Sequence, residues 1–210
     1  SDNVIRKMVV FQALTWETED KDDKHLVHIF GKTQSGKSIS LTTHFSPYFF
    51  IKLPTDGYDK RAELYYDSIK QACPGLKMSY DIQSSMDVWG FQNSKKFYFM
   101  KLNFDTLANR RKVGYTLKRH LKIYEWTFDI VNDEELRRWK FTGEEVKLKL
   151  YESNLDPVLR LMHITGIQST GWLDSGSDCI DSNFANTDID ITCNNWKNMK
   201  PVDKLSLIHI

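Results

Sequence analysis

Residues Gly31-Lys32-Thr33-Gln34-Ser35-Gly36-Lys37-Ser38 match the phosphate-binding pattern G-x-x-x-x-G-K-[ST] in full. Such a loop holds a nucleotide phosphate when its glycine-rich turn opens a helix, because the free N–H groups of the first helical turn then face the anion. Here HLVHIF before the match and SISLTTHF after it both alternate with period two, and the second segment is built from poor helix formers. A strand is therefore expected where the phosphate site needs a helix. The segment reads as a hairpin whose polar tip, Lys32 to Ser35, has a glycine at each end, and nucleotide hydrolysis is set aside as the weakest reading.

The other residues with chemical potential are few. Asp188 and Asp190 fall on one face of a period-two segment, DIDITC, as metal-ligating carboxylates would, but no third ligand accompanies them. His25 and His28 lie three apart on a strand and point to opposite faces. Cys73, Cys179 and Cys193 are odd in number, widely spaced and without a C-x-x-C, so buried thiols of a reducing compartment are expected, with no disulfide framework. No catalytic residue and no metal site is assigned.

Charge is more informative. Lys and Arg number 29 and Asp and Glu 28, which excludes a uniformly basic protein, yet the distribution is polarised. Between 94 and 122 stand Lys95, Lys96, Lys101, Arg110, Arg111, Lys112, Lys118, Arg119 and Lys122 against a single acid, Asp105. Acids dominate Glu17 to Asp23 and Asp174 to Asp190. Lys95, Lys96, Arg110, Arg111, Lys112, Lys118 and Arg119 form a candidate phosphate-binding face, and Tyr48 beside Pro47 in Phe45-Ser46-Pro47-Tyr48-Phe49-Phe50 is a candidate for stacking on unpaired bases. The neighbouring phenylalanines are assigned to the core.

The elements that must position these residues follow from periodicity. KMVVFQALTW is a first strand, ETEDKDDK an acidic loop, and HLVHIF a second strand. The third strand continues through Pro47 to Leu53. A helix over 60 to 73 has its apolar stripe at Ala62, Tyr65, Tyr66, Ile69, Ala72 and Cys73. Strands follow at 76 to 82, near 88 to 91 and at 97 to 104, and then a basic helix over 106 to 121 with Val113 and Leu117 inward and Arg110, Arg111 and Lys118 outward. Residues 123 to 150 read as a strand-helix-strand insert with its helix from Asp133 to Trp139. Asp156 as N-cap, Pro157 at the first helical position and Gly166 as stop mark a helix in NLDPVLRLMHITGI. A polar, partly disordered loop is expected over 174 to 187, and LSLIHI resembles the opening of a buried strand. The fold class is α+β, with mixed and antiparallel sheets, a ferredoxin-like (RNA-recognition-like) layer and an additional β-rich subdomain. No stretch approaches the roughly 18 apolar residues of a membrane span, and an intracellular protein is expected.

FSPYFFIKLP (45 to 54), the basic helix, and above all LYESNLDPVLRLMHITGIQSTGWL (150 to 173) resemble, in that order, the N-terminal domain of family B DNA polymerases, closest in wording to those of large eukaryotic DNA viruses and next to DNA polymerase delta. The resemblance covers most of residues 8 to 210. It implies one N-terminal domain over 1–210, divided into a hairpin part (1–54), an α+β part (55–122), an insert (123–150) and a lead-in to the 3′-5′ exonuclease (151–210). It implies that Tyr151, Glu152, Asn154, Arg160 and Trp172 anchor neighbouring domains, Arg160 as an ion-pair partner. It implies a parent enzyme that is a DNA-directed DNA polymerase using Mg2+, with exonuclease and palm domains in the same chain, primer-template and single-stranded template DNA as ligands, a processivity factor as a further partner, and work at a viral replication site or in a host nucleus. This fragment, short of the exonuclease Asp-x-Glu motif, is expected to be inactive and to need no cofactor. Archaeal members build a template-base-sensing pocket at the position of Pro47. A stand-alone single-stranded nucleic-acid-binding module is the alternative, and a gene continuing with Phe-Asp-x-Glu rules it out.

Overall fold

The computed structural model describes residues 5–84, 97–119, 123–130, 137–146 and 148–203, with the backbone alone for 123–130 and 137–146. In chain order the first elements are β1 (Val10–Lys21), β2 (Lys24–Thr33), β3 (Ser38–His44), β4 (Tyr48–Leu53), α1 (Tyr58–Ala72), β5 (Met78–Ser84), β6 (Tyr98–Phe104) and α2 (Leu107–Arg119). They are followed by β7 (Ile123–Ile130), β8 (Arg137–Val146), β9 (Leu150–Tyr151), α3 (Pro157–Thr165), β10 (Trp172–Asp174), β11 (Cys179–Asp181), β12 (Ile189–Cys193) and β13 (Lys200–Pro201). The α+β class with mixed and antiparallel sheets is as expected. The chain divides into two compact units, one of Ser1–Pro47, Asp105–Leu107 and Asn154–Ile210, the other of Tyr48–Phe104 and Ala108–Ser153.

The first unit holds a seven-stranded sheet in the order β11-β12-β3-β2-β1-β10-β13. Its central strands are longer than the sequence pattern shows. The acidic run expected as a loop is strand: Glu17, Thr18, Glu19 and Asp20 pair with His28, Val27, Leu26 and His25. The chain reverses in two residues, Asp22 and Asp23, whose φ angles of 52° and 59° match the twist of a two-residue hairpin and are tolerated by aspartate. Charged strand residues are accommodated because Glu17, Glu19 and Asp20 remain exposed. The register brings Phe11 opposite Leu173, Ile29 opposite Leu41 and Ile191 beside Leu41, all buried, so one face of the sheet carries the apolar residues.

At the β2–β3 tip, strand runs to Thr33 on one side and resumes at Ser38 on the other. Thr33 and Lys37 close the turn, the Thr33 N–H donating to the Lys37 carbonyl at 2.9 Å and Gly36, at φ 86°, donating to the Thr33 carbonyl at 2.9 Å. β3 ends at His44, and β4 pairs instead with β6 and β9 in a separate sheet, so the strand does not run continuously through Pro47 as expected. Proline has no N–H for a ladder, which suits a position between two sheets.

β12 lies parallel to β3 and antiparallel to β11, so that Cys179 and Cys193 are directly opposed and joined by a disulfide. The expectation of incidental thiols is thereby corrected for these two, while Cys73 is free and buried. Spacing of 14 residues hides the pairing, since only the β11–β12 register juxtaposes the two residues. The loop expected over 174 to 187 likewise contains β11 and part of β10. α3 follows its sequence signals closely: Asp156 Oδ1 accepts from the Val158 N–H at 2.8 Å, Pro157 opens the helix and Gly166 ends it at φ 76°.

The second unit has a four-stranded antiparallel sheet in the order β5-β6-β4-β9. Phe49, Ile51, Leu53, Met100, Leu102 and Phe104 on one face form a core with Ala62, Tyr65 and Ile69 of α1, Cys73 at its C-terminal cap, and Val113 and Leu117 of α2. β7 and β8 form a two-stranded sheet. Residues 137–139, expected to end a helix, are strand: RRWKFTGEEV contains Trp, Phe, Thr and Val, which favour a pleated chain, and β7 supplies its hydrogen bonds. The expected helix start at 133, the strand near 88–91 and the LSLIHI strand lie outside the described residues.

A Cβ on Gly31 would stand 1.9 Å from the Gln12 carbonyl oxygen, next to the β1 irregularity between Ala13 and Thr15. Gly31→Ala is expected to destabilise the chain by roughly 1–3 kcal/mol through forced backbone displacement, read as a lower urea midpoint at unchanged slope.

Candidate nucleic-acid interface

α2, LANRRKVGYTLKR, contains no acid. At 3.6 residues per turn, Arg111, Lys112, Tyr115, Lys118 and Arg119 share one side and all are exposed, while Arg110, Val113, Gly114 and Leu117 share the other and are buried. Arg110, expected on the phosphate face, is 3% exposed: its spacing of three, four and seven from Val113, Gly114 and Leu117 puts it on the inward stripe. Lys95 and Lys96 lie outside the described residues. The remaining basic residues form a continuous strip. Lys118 Nζ donates to Ser153 Oγ at 3.0 Å, and the Arg119 guanidinium lies over the Tyr115 ring, 5.1 Å from its centroid.

Sequence reasoning passed over Tyr115, a 53% exposed aromatic at the centre of this strip. The signal was available: it is the one large apolar ring on the outer side of a helix whose inner side is already filled.

The sheet of the second unit has a second aromatic surface, on the face away from its helical core. Pairing of Phe50 with Lys101 and Tyr151, and of Lys52 with Phe99, fixes which side chains meet there. Phe50 and Phe99 are buried, with half-buried Tyr48, Phe97 and Tyr151 packed against them. Tyr48 meets Phe50 edge to face at 5.5 Å, and Tyr151 meets Phe99 likewise at 5.5 Å. Lys101 Nζ stands 4.2 Å from the Tyr48 ring centre and Lys52 Nζ 4.4 Å from that of Phe97. Cations held over aromatic rings are suited to contacting stacked bases and their phosphates together. Pro47 is buried.

The residues expected to anchor neighbouring domains are split. Tyr151 and Glu152 belong to the second unit, and Asn154, Arg160 and Trp172 to the first. Glu152 takes a left-handed φ of 61°, Asn154 is exposed, and Arg160 is 3% exposed in α3 beside buried Leu161. Trp172 is half-buried in β10, its carbonyl accepting from the Val202 N–H at 2.9 Å.

The candidate phosphate loop and metal pair have structural duties instead. Asp188 Oδ2 accepts from the Ser38 N–H at 3.0 Å and from Ser38 Oγ–H at 3.1 Å, so the N–H that a phosphate would need is occupied by a carboxylate. Asp190 accepts from Ser182 Oγ at 2.7 Å and from the Ala185 N–H at 2.6 Å. His25 Nδ1 lies 2.8 Å from Asp20, and His28 bridges Thr42 Oγ1 at 2.7 Å and Glu19 at 3.0 Å. Among the described residues no group of three or more His, Cys, Asp or Glu is arranged to hold a metal.

No family model matches the chain. It is 25% identical over 211 residues to a DNA polymerase of Acanthamoeba polyphaga mimivirus, covering 93% of this chain and 12% of that protein. It is 25% identical over 196 residues to a DNA polymerase of Paramecium bursaria Chlorella virus NY2A, covering 87% and 18%, and 26% identical over 215 residues to one of Pyramimonas orientalis virus, covering 94% and 16%. The chain thus spans 12–18% of the length of these relatives. A solved structure, the family B DNA polymerase from the hyperthermophilic archaeon Pyrobaculum calidifontis, aligns with 67% of this chain and 20% of its own at 14% identity and TM-score 0.40. The resemblance to DNA polymerases of large DNA viruses is borne out along nearly the whole chain.

The Ser38 backbone and then side-chain hydrogen bonds, with a smaller contribution from Lys37, hold the Asp188 carboxyl below its ordinary value of 3.8. A carboxyl depressed in the folded state adds stability above its unfolded pKa and loses that contribution as pH falls toward its folded one. In Ser38→Ala, Asp188 is expected to titrate closer to 3.8 in carboxyl-detected NMR, and the variant's stability relative to wild type is expected to converge in acid.

Proposed function

We propose that this chain is the N-terminal, non-catalytic part of a family B DNA polymerase of the large-DNA-virus type, and that it guides single-stranded template DNA to the rest of the enzyme. The observation that carries the reading is the similarity to three viral DNA polymerases over 87–94% of the chain, together with a helix whose outer side is basic and free of acids. The polymerase and exonuclease centres, with their Mg2+, belong to the remainder of the parent protein. That remainder is this chain's first partner, and a processivity factor is a second, at a viral replication site or in the host nucleus.

A ferredoxin-like, RNA-recognition-like layer for Tyr48 to Tyr151 is part of the same reading. It is supported by the succession β4-α1-β5-β6-α2-β9, by the antiparallel order β5-β6-β4-β9 and by two helices packed on one face. The opposite face, with Tyr48, Lys101 and Tyr151, then offers rings and cations to bases leaving the template duplex, while Arg111, Lys112, Lys118 and Arg119 offer cations to phosphates. Counterion release makes such binding steeply salt dependent. Arg160, buried in α3, is assigned to holding the domain's own structure and its junction with later domains.

Fluorescence anisotropy with a labelled single strand tests the proposal. Four phosphate contacts predict about a 50-fold loss of affinity between 50 and 200 mM salt, and Arg111→Glu with Lys112→Glu is expected to remove most binding at the lower salt. Affinity that is indifferent to salt, or that survives the double reversal, overturns the phosphate-binding role.

A further inference from the structure

Tyr115 stands on the outer side of α2. It is 53% exposed, on the side opposite the buried stripe of Val113, Gly114 and Leu117. Its four nearest neighbours on the helix surface, at i−4, i−3, i+3 and i+4, are Arg111, Lys112, Lys118 and Arg119. Every position beside the ring on its own helix is therefore basic. None of the four forms an ion pair among the described residues, and the helix has no acid to offset them.

Such a cluster is unfavourable for the folded chain alone, since like charges one turn apart repel. The Arg119 guanidinium over the ring offsets this only modestly at an exposed site. A polyanion removes the repulsion. The aromatic ring adds a requirement that a duplex does not meet, because paired bases are stacked inside the helix and present only phosphates and groove edges, whereas an unpaired base has an accessible π-face.

We infer that Tyr115 stacks on one unpaired base of a single strand whose phosphates lie against Arg111, Lys112, Lys118 and Arg119, so that the outer side of α2 selects single-stranded over duplex DNA. From Arg111 to Arg119 the helix rises about 12 Å, against 3.4 Å per stacked nucleotide, so the strip engages about three or four nucleotides. The inference rests on the phosphate-binding reading of α2 and adds to it a base-contacting residue and a strand preference.

The test uses the 210-residue chain with a labelled thymidine oligonucleotide, the same strand carrying abasic sugars throughout, and a duplex of equal length. Tyr115→Ala is expected to weaken binding to the thymidine strand roughly 5- to 150-fold, the range for one stacked base, and to leave the abasic strand and the duplex within about twofold. Its salt slope should be unchanged, because no cation is removed. Tyr115→Phe keeps the stack and should bind within about twofold of wild type, which separates loss of the ring from loss of fold. No effect of Tyr115→Ala, or an equal loss on the abasic strand, overturns the inference. If Arg111→Glu with Lys112→Glu abolishes binding in the same series, the phosphate face stands without the stacking residue. If neither change matters, or the wild-type chain binds none of the three ligands, both readings fall.

Discussion

The antiparallel ladder between β2 and β3, registered from Lys32 opposite Ser38 to Leu26 opposite His44, is the constraint on which the first unit depends. It makes extended chain of the residues after Gly36, so the N–H groups that a phosphate loop would turn toward an anion are spent on strand pairing and on Asp188. It offers β3 as a template for β12, whose parallel pairing aligns Ile189 to Cys193 with Ile39 to Thr43. That alignment in turn sets Cys193 across from Cys179 and leaves Asp190 to hold the loop at Ser182 and Ala185. Backbone satisfaction is a strong demand in a buried strand, and here it overrides a complete sequence motif.

In the second unit the controlling feature is that a sheet has two faces and a helix two sides. The face of β4 and β6 bearing Phe49, Ile51, Met100 and Leu102 is used against α1 and α2, which sends Tyr48, Phe50, Phe99 and Lys101 to the other. By the same logic Val113 and Leu117 turn α2 inward and send Arg111, Lys112, Tyr115, Lys118 and Arg119 out. Both candidate contact surfaces are thus consequences of core formation. Phe50 and Phe99 are themselves buried, and the residues left accessible, half-buried Tyr48 and Tyr151 on the sheet and the exposed Tyr115 and cations of α2, are the ones whose chemistry suits a nucleic-acid strand.

Much of this was legible beforehand where a local rule acts alone. The rejection of the phosphate loop needed only the period-two pattern around it. Helix α3 was marked by Asp156, Pro157 and Gly166, and the α1 stripe by spacing. The departures share a cause: strand pairing or helix phase overrides what a residue's own type suggests. Glu17 to Asp20 read as loop because charge disfavours strands, yet pairing with β2 and exposure at the sheet surface reverse that preference. Trp139 falls at the end of a segment that reads as helix, yet β7 pairs with it as strand. Arg110 read as surface because it is charged, whereas its phase on the helix buries it.

The sequence by itself determined the likeness to viral DNA polymerases, the α+β class, the capped helix α3 and the acid-free basic helix, because each is carried by residues close together in the chain. Only the tertiary structure decided that Cys179 and Cys193 are bonded, that Asp188 closes the hairpin through Ser38, that Tyr48 and Tyr151 share a sheet face, and that Arg110 is inward while Tyr115 stands out among four cations. The first three depend on strand register across as many as 150 residues, which no local pattern encodes. The last depends on which side of α2 the core claims, and that is settled by packing.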